Sequence, residues 1–265
     1  MGNESTGGTP SKRNPWLYFF SPNPAADVRL FCLPYAGGTV TTYRAWAKKL
    51  PPSVEVGAVQ LPGRGSRMPE PPFTQLAPLV RALAENFLPY LDRPFALFGH
   101  SMGALVAFEL ARHLRREHGL TPAHFFASGQ SAPQYDDGFP PLHELPEAEL
   151  LDELRQLNGT PSRVLEHAEL IKLMLPVLRA DFAVFGSYEY AEEPPLDCPV
   201  TVFGGLQDVQ FPREGLEAWR EQAGSSLSLH MLPGDHFFLR ASESRLLNIL
   251  AEELQQTVNS LRAAA

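Results

Sequence analysis

Short apolar runs alternate with longer amphipathic ones along this chain, the rhythm of βαβ units and a mostly parallel sheet. Val28 to Leu33 reads as a strand that runs into the glycine-bearing loop Pro34 to Gly38. Val54 to Leu61 is the next strand, ending in Pro62-Gly63-Arg64-Gly65. Leu79, Leu83, Phe87 and Leu91 recur at every fourth position and predict a helix from Leu76 to Leu91. Phe95 to Phe98 reads as a short buried strand, and Ala104 to Arg116 as a helix closed by Gly119. His124 to Ser128, Val200 to Phe203 and Leu227 to Leu232 are further strands, and Arg245 to Leu261 is the last helix.

Between Gln134 and Tyr190 the rhythm breaks. Helical patterns at Glu147 to Leu157 and Glu166 to Leu178 follow one another with no clear strand between them. Helices inserted between sheet strands usually cover the mouth of a site, so residues 134–190 read as a lid. A surface excursion that only pads the fold is the alternative. The length of 265 residues, with 44% hydrophobic and 20% charged, suits one domain, taken here as 16–265. Many of the 26 prolines fall in turn-rich stretches such as Pro69 to Pro72, which points to long ordered loops. The polar residues 1–15 read as a mobile tail. Met1-Gly2 with Thr6 fits a myristoylation pattern that short sequences match by chance.

A formal net charge of −8 argues against nucleic acid or an anionic membrane as a partner. No uncharged apolar run approaches the roughly 18 residues of a membrane span. The first residues lack the apolar stretch of a signal peptide, so a cytoplasmic address is expected. Cys32 and Cys198, each beside an apolar run, read as buried free thiols.

The chemistry starts at Gly99-His100-Ser101-Met102-Gly103, a G-x-S-x-G between a strand and a helix. In such an elbow the serine is strained, the glycines avoid backbone collisions, and the hydroxyl stands clear of the sheet. Ser101 is therefore the candidate nucleophile. It needs a base, itself oriented by a carboxylate, and in this fold the order is Ser, then Asp or Glu, then His.

Of the eight histidines, His100 flanks the nucleophile, and His113, His118 and His124 follow it too closely. His143 and His167 fall in the insertion, and His230 lies within a strand. His236 lies on a loop between the last strand and the last helix, where a base belongs. Asp208 follows the preceding strand, 28 positions before His236, and is the favoured acid. Asp136 or Asp137, one strand earlier, and Asp235, beside the histidine, compete with it. For the oxyanion hole, one N–H should come from Met102 and another from the loop Pro34 to Gly38, with Ala36 the candidate. Gly37-Gly38 could also be no more than a tight turn.

Together these residues resemble the type II thioesterases that accompany polyketide and nonribosomal peptide synthases. The matching pieces are Leu33-Pro34-Tyr35-Ala36-Gly37-Gly38, Gln60-Leu61-Pro62-Gly63-Arg64, the elbow with Ala104, Gly204-Gly205 with Asp208, and His236-Phe237-Phe238-Leu239. In the insertion they are Leu142-His143-Glu144-Leu145, Asn158-Gly159-Thr160-Pro161, and Leu175 through Asp181-Phe182. One departure is Asp235, where relatives often carry glycine.

The resemblance spans roughly residues 28–250 and implies the α/β-hydrolase fold. It also implies hydrolysis of acyl groups from the phosphopantetheine arm of an acyl or peptidyl carrier protein, with stalled or wrong units cleared. No metal and no cofactor of the enzyme's own is implied, and a monomer is expected.

Two sets of residues are candidate contacts. The apolar faces Leu150, Leu154, Leu157 and Leu170, Met174, Leu178 could line an acyl channel or simply pack. Arg112, Arg115 and Arg116, or Arg64 and Arg67, could meet an acidic carrier, although basic residues at a helix C-terminus already have a reason in the dipole. A fatty acyl thioesterase, a carboxylesterase, an acyltransferase and an inactive scaffold are the competing readings. A complete Ser101, Asp208 and His236 set speaks against the last.

Overall fold

The computed structural model describes residues 14–136, 138, 140–157, 159 and 166–264. Most of the tail, and Asp137, Asn158, Thr160 and Pro161, lie outside the described residues. The strands are β1 (Leu17–Tyr18), β2 (Val28–Leu33), β3 (Val54–Val59), β4 (Phe95–His100), β5 (His124–Ser128), β6 (Val200–Gly205) and β7 (Leu227–Leu232). They form one sheet in the order β1-β3-β2-β4-β5-β6-β7. Every pairing is parallel except β1 with β3.

The longer helices are α1 (Leu76–Phe87), α2 (Met102–His118), α3 (Glu147–Leu157), α4 (Ala168–Gly186) and α5 (Glu243–Ala264). Strands from β2 to β6 are buried on both faces, as a sheet sandwiched by helices requires. On one face α1 and α2 pack Leu79, Leu83 and Phe108 against Phe31, Leu97 and Phe125. On the other, Leu246, Leu250 and Leu254 of α5 pack against Leu30, Phe98 and Phe126. Neighbouring strand residues thus feed opposite cores, which is the two-residue period at work.

The helix expected from Leu76 to Leu91 ends at Phe87 and continues as a 3₁₀ turn, Leu88–Tyr90. Leu88 keeps helical backbone, but Pro89 supplies no N–H for the next i→i−4 bond, which closes the helix there. In the other direction, α4 runs through Pro176 to Gly186, well past the expected Leu178. No strand occurs among the described residues between β5 and β6, and α3 with α4 forms a small separate core of Leu142, Leu150, Leu154, Leu175, Leu178 and Phe182. No helix among the described residues is long and apolar enough to cross a membrane. Cys32 and Cys198 are buried and free, and burial raises both thiols, Cys198 to about 12.

Candidate active site

Ser101 sits between β4 and α2 at φ 53°, ψ −126°, the one residue other than glycine with positive φ among those described. Strain of this kind persists where the surroundings over-determine it. A Cβ on Gly99 would overlap the Gly103 carbonyl, and one on Gly103 would overlap the Leu33 carbonyl. The elbow therefore tolerates side chains at neither position. Backbone bonds fix its ends: Ser101 N–H donates to Ser128 O (2.8 Å) and Ala104 N–H to Ser101 O (2.8 Å).

The loops after β6 and β7 are stitched together. Gln207 N–H donates to Gly234 O (2.9 Å), Gly234 N–H donates to Gln207 Oε1 (2.6 Å), and Gly205 has room for no Cβ beneath the Asp235 and Gly234 carbonyls. This brings Asp208 to His236, whose Nδ1–H donates to Asp208 Oδ2 at 2.9 Å, with both side chains buried. The second carboxylate oxygen accepts from Gln210 N–H (3.0 Å) and Phe211 N–H (3.4 Å), which fixes the carboxylate plane. An imidazole held this way presents Nε2 as a base.

Asp136 lies elsewhere and accepts from Gly138 N–H (3.0 Å), whereas Asp235 accepts from Phe237 N–H (2.9 Å) within its own loop. Of the described competitors, then, neither occupies the place beside Nδ1 that Asp208 fills.

Ser101, His236 and Ala36 line one small cavity of about 50 Å³, together with Tyr35, Gln210, Phe211 and Phe237. Leu154, Leu157, Leu178 and Phe182 form its roof. Of the six apolar residues proposed for a channel, these three leucines face the cavity. Leu150 is buried and Met174 half-buried in the insertion's core, and Leu170 is exposed. Among the described residues the cavity is far smaller than the roughly 300 Å³ of a compact ligand site.

The loop Pro34 to Gly38 is a tight turn, closed by Gly38 N–H on Tyr35 O (2.8 Å). Gly37, at φ 74°, donates its N–H to Asp181 Oδ2 of α4 (2.7 Å). With those two groups committed, Ala36 N–H is without a partner among the described residues. Met102 supplies the first N–H of α2, which the helix itself cannot use. Ala36 lines the cavity, and Met102 opens α2 directly after Ser101.

His100 is fully buried below, 5.1 Å from the His236 ring, and its Nδ1 pairs with Ser128 Oγ at 2.9 Å. Burial, then the neighbouring His236, holds it well below the usual histidine range. A neutral His100 spares His236 a second cation alongside.

Three arginines offered as carrier contacts are not on the surface. Arg64 forms a bidentate pair with Asp181 (2.6 and 2.6 Å), both side chains buried. Arg67 pairs with Glu70 and lies over Trp16, 3.9 Å from the ring centre. Arg112 is 2% exposed and pairs with Glu109 and Glu193. Arg115 and Arg116 also bind Glu193, so this cluster holds the segment before β6 against α2. The helix-dipole reading was incomplete, because the carboxylates that claim these arginines lie up to 81 positions away (193−112).

Asp181 is the site residue that sequence reasoning missed. A lone carboxylate in the apolar run Leu175 to Phe185 was its signal, because such a group must find a partner when buried.

The thioesterase domain family matches residues 28–257. The chain belongs to this family. Linear gramicidin dehydrogenase LgrE of Brevibacillus parabrevis is 49% identical over 243 residues, 91% of this chain and 92% of that protein. The activity in that name is said of that protein; at the turn around Ser101 this chain carries Gly99 and Gly103 without a third spaced glycine.

Two solved structures are similar. One is RedJ, a thioesterase from the prodiginine pathway of Streptomyces coelicolor: 42% identity, TM-score 0.82, covering 88% of this chain and 87% of that one. The other is the type II thioesterase BorB from the borrelidin cluster: 35% identity, TM-score 0.83, covering 93% and 100%. This thioesterase therefore has the α/β-hydrolase fold and is a hydrolase of thioesters.

Proposed function

We propose that the chain hydrolyses acyl groups from the phosphopantetheine arm of acyl or peptidyl carrier proteins, with Ser101 as nucleophile, His236 as base and Asp208 as its orienting acid. The observation that carries this reading is the meeting of Ser101, His236 and Ala36 in one cavity, with Asp208 on the far side of the imidazole. Type II thioesterase relatives support the carrier as the source of the acyl group. Clearing aberrant or stalled units in polyketide or nonribosomal peptide synthesis is the role proposed for it.

His236 Nε2 takes the Ser101 proton as Oγ attacks the thioester carbonyl. Ala36 and Met102 N–H groups receive the oxyanion, where donors in place before reaction contribute most. Collapse breaks the C–S bond, and the pantetheine thiol leaves with the proton from His236. Water then attacks the acyl-serine, gives its proton to His236, and frees the acid as Ser101 is reprotonated. The route draws on no metal and no cofactor of the enzyme's own, and it asks for one chain only. We take the enzyme to be a cytoplasmic monomer, which sedimentation would test.

The deciding experiment presents one acyl group on a phosphopantetheinylated carrier and as a nitrophenyl ester, to the native enzyme and to Ser101→Ala. Faster release from the carrier, abolished by the substitution, supports the reading. Turnover of the oxygen ester alone would make it a general esterase, and activity that survives in Ser101→Ala would place the nucleophile elsewhere.

A further inference from the structure

Beside the site cavity lies an open groove of about 360 Å³, and the two share one wall, Tyr35. Thr41, Thr42, Trp46, Leu239, Arg240 and Glu243 complete the groove. The Glu243 carboxylate is already taken by Lys49, so it leaves little uncompensated negative charge there. Arg240 is exposed, and aromatic faces hold its guanidinium, 5.0 Å from the Phe237 ring centre and 5.7 Å from that of Tyr35. Its Nη2 donates to Tyr35 Oη (2.6 Å) and to Gly159 O (3.3 Å).

What remains of this guanidinium is unused. Nε and Nη1 donate to no described residue, and no described carboxylate pairs with this cation. By contrast, Arg29, Arg64, Arg67, Arg112, Arg115 and Arg116 each hold a carboxylate. A guanidinium with two free N–H-bearing nitrogens, fixed by rings at the rim of a reaction cavity, matches an oxyanion with two acceptor oxygens. Because the rings already hold it, binding costs it less side-chain freedom.

Under the proposed reaction the substrate brings such an anion, the phosphate at the far end of the phosphopantetheine arm. We propose that Arg240 binds this phosphate, while the groove past Tyr35, Thr41 and Thr42 holds the pantetheine; this rests on the carrier reading above. The Phe237 ring centre lies 5.1 Å from that of His236, so the guanidinium stands two ring contacts from the imidazole. The Thr42 hydroxyl, which both donates and accepts, suits the arm's amides, whereas that of Thr41 already pairs with Thr39 Oγ1 at 2.6 Å. Arg240 is on this account a binding residue for the leaving group's far end, with no part in the bond-breaking steps.

Two thioesters that differ only in the phosphate, acyl-phosphopantetheine and acyl-pantetheine, test the proposal. The native enzyme should show a KM about tenfold lower for the phosphorylated compound, the fold-change expected of a charge-assisted hydrogen bond. In Arg240→Ala the ratio of the two KM values should fall to about one, whatever happens to the absolute rates, and Arg240→Lys should keep part of it. A purely structural Arg240 would move both compounds together and leave their ratio intact, which overturns the proposal, as does a native ratio of one. Calorimetric binding of the same pair to Ser101→Ala reads this ratio without turnover. Failure of the native enzyme to release the acyl group from a phosphopantetheinylated carrier would sink the proposed reaction, while the binding ratio of the carrier-free pair would still decide the role of Arg240.

Discussion

Beneath the cavity, Ser101, Asp208 and His236 each stand on a loop at the end of a strand, with Gly99, Gly103 and Gly205 where no side chain fits. Above it, α3 and α4 close over a small core of their own and leave Leu170 and Leu173 exposed at 43% and 59%. The floor is continuous with the sheet. The roof meets it through Asp181, which touches Arg64 and the Gly37 N–H at once, and through Val184 at the end of α4, which is buried in the main core. Leu178 of the same helix lies against Gly37, so a Cβ there would press into its side chain. The roof thus has a core of its own beside its ties to the floor, whereas the floor cannot shift without disturbing the sheet.

The harshest test of the floor is Asp208→Asn, which keeps the shape and removes the charge that orients His236. It should lower kcat by about 10⁴-fold with the fold intact by circular dichroism. A loss under tenfold would mean that another acid serves the histidine. Next comes the tie between the regions. Asp181→Ala leaves Arg64 buried and unpaired, at an expected cost of about 3 kcal/mol in urea unfolding. The double substitution Arg64→Met with Asp181→Leu should regain much of that stability yet not the activity, because the Gly37 N–H stays unpartnered. Full activity in the double variant would show that the tie serves packing alone.

Acid should weaken the floor as well. Burial lowers His124 to about 4 and holds His100 well below the usual range, whereas in the unfolded chain both take up protons near pH 6.5. The stability they contribute is therefore full above about pH 6.5 and is lost as pH falls toward 4, about 1.4 kcal/mol per pH unit for each group. His124→Asn should flatten that slope between pH 6.5 and 5, and an unchanged slope would remove His124 from the account. The smallest effect belongs to the roof's outer face. Leu173→Ser should alter stability by less than about 0.5 kcal/mol. A loss above about 2 kcal/mol would show that something covers this face in solution.

The fold was legible in the sequence because a strand buried on both faces needs an apolar run, and strand-to-helix turns need glycine. The limits of β2, β5, β7 and α3 could be read directly from those patterns. Ser101 and His236 were legible for the same reason, since the elbow and the loop after the last strand are local signals. Asp208 could be favoured over its rivals but not chosen outright. Its meeting with His236 depends on the Gln207–Gly234 stitching of two loops, which local pattern does not encode.

What only the tertiary structure decided were the partnerships between distant residues. Arg64 and Asp181 are 117 positions apart, and Arg112 and Glu193 are 81 apart (193−112). In sequence each arginine looks like a solvated surface charge. Packing alone brings a carboxylate to it, turns it inward, and leaves Arg240 with no carboxylate among the described residues. A local pattern reports how much of a segment must leave water, but a buried charge is settled by whatever the rest of the chain places beside it.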